Sequence, residues 1–240
     1  MNSVILLYAR LTVIHIITMN SNILKILQIC DSLFPIGSFT LSNGLETYVQ
    51  NNIISSANQL KEYLDSYISI MCYNELGTVA LAYKNADIQR IDAVYNAVKT
   101  PKEIRMGSVR TARQFFRIIE KTNSEIPCLK KYIELVKNEK SFGHLPIAYG
   151  LYMRDCGADL SEGLNIYGYS ICSAIVTNCV KLVPLSQLDG QRILNELLPK
   201  ISEACEKAVS VSIEEIGIGG CGFDIRAMQH EKLYSRQYMS

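Results

Sequence analysis

A chain of 240 residues with 24 Lys and Arg against 23 Asp and Glu carries a formal net charge of +1, so it presents no basic field for nucleic acid or an anionic membrane. An apolar share of 48% is ample for one large core. The eight cysteines, at 30, 72, 128, 156, 172, 179, 205 and 221, are dispersed through helical patterns in a chain too large to need covalent staples, so reduced, packed thiols in a cytoplasmic protein are the expectation.

Residues 1–19 hold two short apolar runs separated by Arg10. They are too short and too charged for a membrane span, and they lack the flanks and the cleavage site of a signal peptide. Met19 reads as the natural start, which makes 1–19 an extension, disordered or not native, ahead of a domain over 20–240. Ile23, Ile26, Leu27, Cys30 and Leu33 then recur at helical spacing, and Leu41, Leu45, Tyr48 and Val49 start a second stripe. Between them the chain must turn, because Pro35 disfavours a helical backbone at Phe34 and Gly37 can take positive φ. That corner carries Phe34, Ile36 and Phe39, which are wasted unless they pack on the core or on a partner.

Ser56 and Gln59 predict a capping box before a stripe of Leu60, Leu64, Tyr67, Ile68 and Met71. The pattern extends through 79–83 and 88–98 and stops at Thr100-Pro101. A helix over 103–121 follows, with Ile104, Thr111, Phe115 and Ile118 inward and Arg105, Arg110, Arg113 and Arg117 outward. Residues 123–138 form the next, with Pro127 tolerated in its first turn. The stretch 141–146 is a breaker, and 147–156 is a short helix closed by Gly157. Asp159 and Glu162 open the most apolar helix, through Leu182, and Ser186 and Asp189 open another after Pro184. With no period-two alternation and no Asn-Gly hairpin, the fold class is all-α: a single-domain helical bundle of about eight to ten helices.

Few constellations carry chemistry. Gly217-Ile218-Gly219-Gly220-Cys221-Gly222 fits the dinucleotide spacing literally, but it has neither a βαβ setting nor an acidic partner at the required distance, so a flexible loop is the expectation. His15, His144 and His230 show no zinc or triad spacing; His144 reads as a structural loop residue and His230 as a partner contact. Cys172 and Cys179, seven apart on one helix face, read as core packing before metal binding. The arginines on 105–117 read as a solvated face, with an arginine finger as the alternative. Tyr167 and Tyr169 fit a core contact or a homodimer seam. The tail 224–240, with Tyr234, Arg236, Tyr238 and Met239, reads as a segment that orders on binding. No catalytic residue, metal ligand or cofactor site is assigned, so a non-enzyme is expected.

Three blocks in chain order add a resemblance. They are 24–48, with Phe34-Pro35-Ile36-Gly37; 177–191, with Thr177-Asn178-Cys179; and 224–236, with Met228-Gln229-His230-Glu231 and Tyr234-Ser235-Arg236. Together they resemble the UreF-type urease accessory proteins. The resemblance implies an all-helical, non-catalytic homodimer in the cytoplasm that bridges a second accessory protein, UreD (also called UreH), to the GTPase UreG and so delivers nickel to apo-urease. By position it implies that Phe39, Glu46, Tyr48, Gln229, His230, Tyr234, Ser235 and Arg236 engage partners and that Tyr169, beside Tyr167, lies at the dimer seam. This chain departs from the pattern at Asn165, where a similar chain has arginine, at Phe39, elsewhere tyrosine, and in the glycine run at 217–222. The alternative reading is a GTPase-activating regulator of UreG acting through an exposed arginine, from the 105–117 face or Arg236. A nickel carrier using Cys172 and Cys179 is a third.

Overall fold

Apolar residues at helical spacing dominate the chain, and the computed structural model, which describes residues 22–38, 41–84 and 87–239, contains no strand among them. The readings of 1–19 and of Phe39 fall outside the described residues. A first helix, α1, covers 22–30. The chain then runs through α2 (Leu45–Gln50), α3 (Ala57–Met71), α4 (Gly77–Tyr83), α5 (Ile88–Val98) and α6 (Lys102–Thr122). The second half comprises α7 (Pro127–Lys137), α8 (Leu145–Asp155), α9 (Leu160–Leu182), α10 (Gln187–Ser210) and α11 (Cys221–His230). Among the described residues no helix is long and apolar enough to cross a membrane.

α8 is the axis of the core, buried from Pro146 to Met153 on every face. α4 lies against it so closely that a Cβ on Gly150 would stand 2.4 Å from the Val79 carbonyl oxygen, so only glycine permits this approach. On another face of α8, Phe115 of α6 meets Tyr149 and Tyr152 edge-on, with ring centroids 5.0 and 5.7 Å apart. Tyr149 also meets Tyr167 of α9 at 4.9 Å, which places Tyr167 in the core. The corner after α1 packs inward as well: Ile36 is buried and Phe34 stands 6.0 Å from Phe115.

Side-chain caps open α3, α5, α9 and α10. The Ser186 side chain accepts from Asp189 N at 3.0 Å and the Asp189 carboxylate accepts from Ser186 N at 3.3 Å, a complete capping box for α10. Asp159 accepts from Glu162 N at 3.0 Å before α9. At α3 the box is shifted, because Gln59 reaches past Ser56 and accepts from Ser55 N at 2.9 Å.

Three expectations need correction. The pattern joining α3 to α4 is not one α-helix: a π-turn, Cys72–Leu76, inserts an extra residue between the two stripes. The glycine run is a packed turn and not a flexible loop. Gly217 N donates to the Tyr73 carbonyl at 2.9 Å, and at φ +94° a Cβ there would stand 2.6 Å from Val98. Arg105 is half-buried and not part of a solvated face. Its guanidinium donates to the carbonyls of Lys99 at 2.7 Å and Thr100 at 3.1 Å, closing the C-terminal end of α5.

Two buried polar groups hold the segment before α8. Asp92 of α5 accepts from the Tyr132 hydroxyl at 2.6 Å, from Phe142 N and from Gly143 N at 3.3 Å. Burial pushes its carboxyl above the usual carboxylate range, and these donors oppose the rise. His144, fully buried at the cap of α8, lies 3.2 Å from Ser108 Oγ through Nδ1 and 3.2 Å from Asn96 Oδ1 through Nε2. The Asn96 oxygen only accepts, so Nε2 carries the proton and the ring is neutral.

Burial, followed by the positive charges of Lys99 and Arg105, lowers the His144 pKa from 6.5 to about 4. Between those values the unfolded chain binds a proton that the folded chain refuses, so stability falls as pH drops through this window. The loss reaches up to about 3 kcal/mol and is absent above the upper value. Urea unfolding at steps across pH 7 to 4 should show it. The His144→Gln variant should lose the corresponding part of the slope; parallel curves for the two chains would refute the assignment.

Candidate functional site

The start of α2, just after the corner, and the C-terminal segment, 191 residues apart in sequence, meet at one carboxylate. Glu46 sits in the first turn of α2, where free backbone N–H groups favour negative charge, and it is only 1% exposed. One oxygen accepts from Gln237 N at 2.8 Å and Gln50 Nε2 at 3.4 Å. The other accepts from Tyr238 N at 3.1 Å and faces His230 Nε2 at 3.1 Å. A carboxylate offers about four lone-pair positions, and all are taken.

His230, fully buried at the last turn of α11, continues the chain of contacts. Its Nδ1 stands 2.6 Å from one oxygen of Glu103 in α6, whose other oxygen accepts from Arg236 Nη1 at 2.8 Å. Both ring nitrogens face carboxylate oxygens, so the ring is held between α2 and α6. Glu46, His230, Glu103 and Arg236 thus form one chain of contacts in which the buried polar atoms are partnered, which is how such groups are tolerated under cover. Gln50 Nε2 adds a bond to the Ser235 carbonyl at 2.8 Å.

α11 itself is seated by small residues and rings. Gly44, the cap of α2 at φ +83°, would bring a Cβ to 3.0 Å from Ala227 N, so α2 and α11 touch backbone to backbone there. Tyr48 lies edge-on to Tyr63 at 5.1 Å, 6.0 Å from Phe223, and under the Arg226 guanidinium at 5.7 Å.

The anticipated partner residues therefore divide into two groups. Glu46 and His230 are buried and hold the tail, and Tyr48 helps to seat α11. Gln229, Ser235 and Arg236 are exposed, and Tyr234 projects entirely into solvent at the apex of the held segment. Glu103 and Gln50 were not foreseen. Their partners lie 127 and 185 residues away, and the one local signal was an acidic residue in the first turn of α6. Tyr169 is exposed on α9, while Tyr167 is buried.

The clamp has no open position for chemistry. Among the described residues no group of three or more His, Cys, Asp or Glu is placed to hold a metal ion. Burial pushes the thiols of Cys172 and Cys179 up to about 12, so both are protonated packing groups near neutral pH. What the arrangement does is fix a terminal segment and display its exposed side chains.

Comparison with known proteins gives a consistent result. The profile of the UreF family matches residues 54–198. Over 222 residues the chain is 34% identical to the "Urease accessory protein UreF" of Actinobacillus pleuropneumoniae, covering 90% of this chain and 97% of the relative. It is 33% identical to the protein of the same name from Haemophilus influenzae strain Rd, covering 90% and 94%. The Streptococcus thermophilus protein of that name is 31% identical over 224 residues, again covering 90% and 94%.

Proposed function

Because the chain belongs to the UreF family of urease accessory proteins, we propose that it is a cytoplasmic, non-catalytic assembly factor for urease. In this reading it joins UreD (also called UreH) and the GTPase UreG in the complex that delivers nickel to apo-urease. The observation that carries the proposal is the clamp. A buried, fully satisfied carboxylate holds the main chain at Gln237 and Tyr238 and presents Tyr234, Ser235 and Arg236 to solvent. A terminal segment normally frays, and one held by buried charge is pre-ordered for binding, which lowers the entropy cost of association.

In the same reading Gln229, Tyr234, Ser235 and Arg236 make the contacts, while Glu46, Tyr48 and His230 shape the surface from beneath. The homodimer is placed on α9, where Tyr169 and the Leu27 side chain of α1 are both exposed and line one hollow of about 650 Å³. Tyr167 supports that face from inside.

The test is assembly. The full chain should co-purify with UreD and UreG as one species and support activation of apo-urease. Tyr234→Ala removes a side chain that touches solvent alone, so the fold should be unchanged. Loss of a buried interface tyrosine costs about 2 kcal/mol, roughly a thirtyfold weaker complex. Unchanged affinity for both partners in Tyr234→Ala, and in Ser235→Ala beside it, would defeat the reading.

A further inference from the structure

A second surface feature lies on the other side of the corner, with Met239 of the held segment at its edge. A groove of about 990 Å³ runs between the corner and α6. Pro35, Ile36, Leu41 and Met106 give it apolar walls. Met106 is half exposed there, an unusual place for such a side chain unless something covers it.

Arg110, Arg113 and Arg117 line the same groove. At spacings of three and four they share one helix face, a column of positive charge about 10 Å long. All three are exposed, and among the described residues none meets a carboxylate. Arg117 donates to Gln114 at 3.0 Å, and Arg110 reaches only the Met239 sulfur at 3.5 Å. Other exposed cations, Lys121 and Lys131 among them, also meet no carboxylate; what distinguishes the three arginines is that they line one apolar-walled groove together.

We infer that this groove takes an acidic segment of a partner polypeptide, with one or two large apolar side chains between its carboxylates. The carboxylates would meet the guanidinium column in the forked geometry that arginine favours, and the apolar side chains would cover the groove walls. A lone phosphate would leave those walls open to water. The far end of the groove also gives a direction. An adjoining hollow of about 260 Å³ is lined by Glu103 and Glu231, so the acidic residues of the occupant belong at the Arg113 and Arg117 end. The groove borders the clamp, since Met239 of the held segment lines it and Glu103 lines the adjoining hollow, but the inference does not rest on the assembly reading.

The test uses the full chain and a fluorescein-labelled peptide, Glu-Asp-Glu-Leu-Phe-Glu-Leu-Asp, with its Gln and Asn counterpart as control. The acidic peptide should bind, and the control should not. Reversal of the column in R110E/R113E/R117E should weaken binding about tenfold or more, while R110K/R113K/R117K retains most of it. The three side chains are exposed, and circular dichroism will show that each variant is folded. Equal binding of the two peptides, no effect of the reversal, or no binding at about 1 mM peptide overturns the inference. So does displacement by inorganic phosphate beyond that of sodium chloride at equal ionic strength, which would mark a phosphate site. Peptide affinity that falls as chain concentration rises would also overturn it, by placing a second copy in the groove.

Discussion

The Glu46→Gln chain is expected to release its C-terminal segment. The amide keeps one acceptor and turns a donor toward Gln237 N, Tyr238 N or His230 Nε2, each of which is itself a donor. His230 then stays under cover with one of its two carboxylates gone. Leaving buried donors without an acceptor costs about 1 to 3 kcal/mol each, so about 3 kcal/mol or more is at stake in all. For a chain of this size that is a fall of roughly 6 to 12 °C in Tm. The segment can escape part of the penalty by undocking, so the most direct reading is local. Amide exchange at Gln237 and Tyr238 should quicken by about tenfold or more, and trypsin should gain access after Arg236. Arg236→Ala is the contrast: its side chain is 44% exposed in its pair with Glu103, so about 1 kcal/mol or less is at stake. Protected amides in Glu46→Gln would mean that the tail is held by something other than this carboxylate.

The Asp92→Ala chain should lose as much stability, at the opposite kind of place. Asp92 is not near the tail; it gathers the Tyr132 hydroxyl, Phe142 N and Gly143 N into the connection between α7 and α8. The hydroxyl in turn accepts from His144 N at 2.8 Å, so one carboxylate orders the whole approach to the central helix. Alanine leaves several buried donors without acceptors at about 1 to 3 kcal/mol each, and partial relaxation brings the total to about 3 to 5 kcal/mol. Tyr132→Phe removes one link and should cost about 1 kcal/mol. Urea midpoints at constant m-value provide the measurement. A loss in Asp92→Ala no larger than in Tyr132→Phe would show that water replaces the carboxylate without penalty.

The helices were legible because burial imposes a period of 3.6 on residues that sit next to each other in sequence. The stripe from Leu60, the caps at Asp159 and Ser186, and Pro127 at a helix start all express local rules. The π-turn was not legible, since one surplus residue leaves both flanking stripes intact and shifts only their relative phase. Arg105 was misplaced because a helical wheel projects Cβ directions, whereas a guanidinium on a long stem reaches back to carbonyls five and six residues away. Phe34 and Ile36 were seen to need cover, but not which side would supply it. At the clamp, Glu46, His230 and Arg236 were named through resemblance to a family. Their mutual contacts, and the part played by Glu103, depend on pairings more than a hundred residues apart, which no local pattern encodes.

The way Glu46 holds the tail has a consequence for how this surface can change over generations. Its two shortest bonds to the segment go to main-chain N–H groups, which every residue except proline supplies. The position of the segment is thereby separated from its spelling. Side chains at 234, 235 and 237 are free to drift and to follow a drifting partner, while the fold that presents them needs no adjustment. Selection can rewrite the message and leave the bracket that holds it untouched.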